Sequence, residues 1–115
     1  MAIKRFEEMI LWQKSQEFAV IVYAHFSGCK DYGFKDQITR ASVSISNNIA
    51  EGFERNTNPD FKRFLYFAAG SNSEVRSMLY LAEKLTFISA KKSEQMIEKS
   101  NEISKMIYGL IKSLK

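Results

Sequence analysis

Apolar residues in the second half of this chain recur at alternating steps of three and four, and no proline interrupts them after Pro59. Phe61, Phe64, Ala68, Ser71, Val75, Met78, Ala82 and Leu85 make one such seam, and Met96, Ser100, Ile103, Ile107, Leu110 and Leu114 make a second. A strand sends successive side chains to opposite faces and cannot use that spacing, whereas a helix gathers positions three and four apart on one side. The pattern predicts two long packed helices, over 59–85 and 90–114.

The first half obeys the same rule. One helix is expected over 7–26, stopping near Ser27 and Gly28, and a loop containing Gly33 follows. A second helix is expected over 36–53, with Ile38, Ala41, Ile45, Ile49 and Phe53 on one face. Asn58 is placed to cap the third helix, with Pro59 at its first position, where a missing N–H costs nothing. Ser89 is placed to cap the fourth. Pro59 is the only proline, and no segment alternates with period two. The expectation is an all-α protein: one domain over 1–115, folded as an antiparallel up-down-up-down four-helix bundle.

Several functional classes are disfavoured. Cys29 has no second cysteine to pair with, and His25 is the only histidine, so no zinc-binding set exists and a reducing, cytoplasmic setting fits. No metal or other cofactor is expected. The longest apolar run, 18–24, falls far short of the roughly 20 residues that span a bilayer, and Glu7 and Glu8 do not suit a signal peptide, so no membrane partner is expected.

Two apolar runs wrap the whole circumference of their helices, 18–24 in the first and 64–69 in the third, and Tyr80 and Leu81 add to the latter. A lone bundle keeps one face of each helix wet, so an apolar surplus of this kind predicts a homo-oligomer.

Opposite its apolar face the second helix carries a polar stripe, Arg40, Ser44, Asn47, Asn48, Glu51 and Arg55. Arg55 lies four residues after Glu51, a spacing at which ion pairs form. Glu51 and Glu74 could be paired carboxylates, but no nucleophile beside a base accompanies them, so the protein is expected not to be an enzyme. The stripe is read as a structural polar seam of Arg40, Ser44, Asn48 and Glu51 matched by Ser71 and Glu74 in the third helix.

In an up-down bundle the start of the first helix, the turn between the second and third, and the end of the fourth share one end. Seven basic residues (Lys4, Arg5, Arg55, Lys62, Arg63, Lys112, Lys115) face four acidic ones there, a net of +3. The other end nets +1. RNA or DNA binding through Lys4, Arg5, Arg55, Lys62 and Arg63 is one expectation; a protein-interaction scaffold without nucleic-acid affinity is the other.

The stretch QITRASVSISNNIAEGFER at 37–55, with LWQKS at 11–15 and FKRFLYFAAGSNSE at 61–74, resembles the four-helix bundle proteins of the ribosomal-RNA intervening-sequence family. Ser44, Asn48, Ile49, Ala50, Glu51 and Gly52 carry the most specific likeness, followed by Gly70, Ser71 and Glu74. The resemblance implies members encoded within insertions of large-subunit ribosomal-RNA genes, and kinship with accessory proteins of diversity-generating retroelements. Those look like ring-shaped pentamers that bind nucleic acid and a reverse transcriptase, so it implies a pentamer with such partners and no enzymatic activity. Many members carry Pro-Ala before NIAEG where this chain has Ser46 and Asn47, which predicts a straighter second helix here.

Overall fold

In the computed structural model, which describes residues 2–115, three short polar side chains set where helices begin. The four helices are α1 (Ile10–Phe26), α2 (Tyr32–Phe53), α3 (Asn58–Lys84) and α4 (Ala90–Ser113). The Asp31 carboxylate accepts the Phe34 N–H at 3.0 Å. Helix α2 therefore starts four residues before the expected boundary, and Gly33 lies in its first turn instead of a loop. Thr57, not Asn58, caps α3 by accepting the Asp60 N–H at 3.3 Å. Asn58 and Pro59 then occupy its opening positions, whose N–H groups have no partner within the helix. Ser89 caps α4 as expected, accepting from Lys92 at 3.2 Å.

The start of α1 also differs from expectation. Phe6–Glu8 form a separate 3-10 turn, and Met9 is extended before the helix begins at Ile10. The break lets Phe6 meet Trp12 edge to face at 5.3 Å. On a continuous helix, residues six apart point to different sides.

At the other end of the molecule α3 stops in a Schellman turn, with Phe87 N–H donating to Ala82 O at 2.9 Å and Thr86 N–H to Glu83 O at 3.0 Å. Thr86 takes φ 60°, a left-handed conformation that a β-branched residue resists. Phe87, the next residue, anchors it by packing on Phe34 at 5.1 Å, and Phe34 in turn meets Phe26 at 5.8 Å.

Each helix packs on its sequence neighbours, and α1 closes onto α4, forming a four-helix bundle 44 × 22 × 20 Å in extent. Val22, Ile38, Ile45, Ile49, Leu65, Val75, Leu79 and Ile107 are fully buried along its axis. Helix α2 packs tightly on α3 at Gly52, where an added Cβ would lie 2.8 Å from Phe64 Cβ.

The two apolar runs are divided between inside and outside. Phe18, Ala19, Val22, Phe64, Leu65, Ala68 and Ala69 are buried, while Val20, Tyr23, Tyr66 and Phe67 remain exposed. Leu85, expected in the α3 seam, is exposed as well. Among the described residues, no helix is long and apolar enough to cross a membrane.

Candidate functional site

The turn from α2 into α3 organises the basic end. Because Asp60 lies in the first turn of α3, its carboxylate faces back toward Arg55, and the two form an ion pair at 3.5 Å. Arg63, one turn further along α3, reaches the other oxygen of the same carboxylate at 3.0 Å. Both guanidinium groups cover the Phe64 ring, Arg55 at 4.5 Å and Arg63 at 4.8 Å from its centre, and Arg63 also lies 5.5 Å from Phe67. One carboxylate thus holds two like charges against one aromatic ring and leaves the group net positive. Glu54, Arg55, Asn56, Thr57, Pro59 and Asp60 line an open depression beside it.

Of the other predicted contact residues, Lys62 is half-buried and Lys4 exposed, and neither has a carboxylate partner among the described residues. Arg5 pairs with Glu8 at 3.7 Å. The 3-10 turn next to it packs against α1 and α2, and neither Lys4 nor Arg5 bonds to the Arg55–Asp60–Arg63 group.

Within one copy the polar band makes mostly short-range contacts. Arg55 turns away from Glu51 to Asp60, which offers a carboxylate and the neighbouring Phe64 face together. Glu51 is exposed and makes no ion pair among the described residues. Arg40 pairs one turn back with Asp36 at 2.8 Å. Asn48 donates to the Ser44 carbonyl at 2.8 Å, and Ser44, Asn48 and Ser71 are half-buried. Glu74 does link the two helices, accepting from Gln37 Nε2 at 3.1 Å.

A buried polar network lies between α3 and α4. Asn72 Nδ2 donates to the Ser100 carbonyl at 2.9 Å, and Ser100 Oγ donates to Asn72 Oδ1 at 2.9 Å. Arg76 reaches Ser100 Oγ at 3.4 Å. Sequence reasoning missed this pairing, although Leu65, Asn72 and Leu79 stand seven apart and so occupy one buried row. Among the described residues, no three His, Cys, Asp or Glu side chains gather as a metal site.

The family model for the 23S rRNA-intervening sequence protein matches residues 7–109. Among solved structures, the chain is similar to a protein with unknown function from the S23 ribosomal protein family of Bacteroides thetaiotaomicron VPI-5482. That match has a TM-score of 0.84 at 30% identity, and covers 90% of this chain and 100% of the other. No curated protein matches it.

Proposed function

This chain belongs to the 23S rRNA-intervening sequence protein family, and from that membership and the placement of its cations we propose a non-enzymatic, homo-oligomeric nucleic-acid-binding protein. Helices run up-down-up-down in each copy, an order supported by the short connections and by pairs such as Leu79 with Ser93 and Asn72 with Ser100. RNA or DNA phosphates bind at the basic end, and the protein works in the cytoplasm. The observation that carries the binding is the Arg55–Asp60–Arg63 group, where one carboxylate leaves two stacked guanidinium groups partly uncompensated beside unpaired Lys62.

Self-association is supported by large apolar side chains left outside, including Val20 at 68% exposure, Phe67 at 48% and Leu81 at 46%. Copies packed in a ring, a pentamer as the family likeness implies, would cover these groups. The half-buried Ser44, Asn48 and Ser71 lie in the band we assign to that contact as its polar part.

Fluorescence anisotropy with labelled RNA tests the binding. Affinity should fall steeply between about 50 and 200 mM salt, because displaced counterions drive phosphate contacts. Lys62→Glu combined with Arg63→Glu should weaken binding at least about tenfold at low salt, since each reverses a phosphate-facing charge. RNA affinity untouched by both would refute the basic-end assignment. Capture of protein partners without any salt-sensitive RNA affinity would favour the scaffold reading.

A further inference from the structure

The chain's positive surplus is concentrated in two segments. Residues 61–73 of α3 and 103–115, from α4 to the C-terminus, contain Lys62, Arg63, Lys105, Lys112 and Lys115 and no acidic residue. Those five cations exceed the net charge of +4 for the whole chain, so everything else is net negative. In the fold the two segments lie side by side. Tyr66 and Tyr108 meet edge to face at 6.2 Å across the α3–α4 boundary, and both rings are half open to solvent, at 54% and 49% exposure.

An open cleft runs along that boundary, lined by Tyr66, Lys105, Tyr108, Gly109, Ile111 and Lys112. A Cβ placed on Gly109 would meet nothing within 4 Å, so the cleft is open at that position. Arg63 is engaged by Asp60, but Lys62, Lys105, Lys112 and Lys115 make no ion pair among the described residues. Accessible aromatic faces interleaved with unpaired lysines are the chemistry that holds unpaired bases and their phosphates together.

We propose that the α3–α4 cleft seats single-stranded nucleic acid, with bases stacking on Tyr66 and Tyr108 and the backbone phosphates neutralised by Lys105 and Lys112. This rests on the nucleic-acid reading above and narrows it to unpaired strands. A duplex keeps its base faces stacked on one another and offers nothing to a tyrosine ring. A second copy docking through the same patch would set lysine against lysine, which disfavours that occupant. Lys62 lies one helical turn before Tyr66, and Lys112 and Lys105 line the cleft along α4, so a strand bound at the basic end continues along it.

The test compares anisotropy of a labelled oligouridylate with that of a labelled RNA duplex of equal length. Tyr66→Ala with Tyr108→Ala should weaken single-strand binding about tenfold or more, the range expected for losing stacked bases. Duplex affinity should stay unchanged, and Tyr66→Phe with Tyr108→Phe should retain single-strand binding. Unaltered single-strand affinity in the alanine pair, or equal loss for both RNAs, would overturn the cleft while leaving the basic end standing. Absence of binding to either RNA by the native protein would remove both. Sedimentation of the alanine pair should match the native protein; a smaller assembly would make the cleft a contact between copies and overturn the proposal.

Discussion

Gly52→Ala is expected to destabilise the bundle by about 2 kcal/mol, even though alanine favours helices by about 1 kcal/mol over glycine. The new methyl group would sit 2.8 Å from Phe64 Cβ, 2.9 Å from Phe61 Cδ1 and 3.3 Å from the Phe61 carbonyl oxygen. Two of those atoms belong to or adjoin the α3 backbone, so relief requires moving one helix against the other. Overpacking of that kind costs up to about 3 kcal/mol, and the propensity gain offsets only a third of it. The same displacement would shift Phe64, and with it the ring that Arg55 and Arg63 share. Gly70→Ala provides the contrast, because nothing lies within 4 Å of its added methyl. It should gain up to about 1 kcal/mol. Urea unfolding measures both, and an unchanged midpoint for Gly52→Ala would show that the α2–α3 contact is looser than described.

Asn72→Ala should cost about 3 kcal/mol. It removes both side-chain bonds to Ser100, leaves the fully buried Ser100 hydroxyl without its acceptor, and opens a void in the α3–α4 layer. Ser100→Ala should cost about 1 to 2 kcal/mol, because it orphans Asn72 Oδ1. Combining the two should cost less than their sum by about 1 kcal/mol, since each single change already breaks the shared bond. Strict additivity in urea titrations would mean that the two groups do not depend on each other.

The helical spacing could be read from the letters because burial imposes it directly on the apolar residues of each segment. Helix starts were harder. Asp31 and Thr57 are each one short polar residue among several candidates, and only backbone geometry selects which accepts the N–H three residues on. The break at Met9 depends on Phe6 meeting Trp12, a contact that local periodicity does not encode. Charge at the α2–α3 turn was visible, but its pairing was not. Glu51 and Asp60 lie four and five residues from Arg55, and the reversal of the chain favours the second. Asn72 with Ser100 and Tyr66 with Tyr108 are brought together across helices, so neither pairing follows from spacing within one segment. Lys105 lies within α4 and not at the bundle's end, so charge counted end by end does not single it out.

Assembly is the claim on which the functional reading depends, since Val20, Phe67 and Leu81 lie bare in an isolated copy. Sedimentation velocity over a range of concentrations measures it without a label or a variant. A discrete species several times the 13.3 kDa chain mass, at the value of a pentamer, is predicted. A single 13.3 kDa particle persisting at high concentration would contradict it.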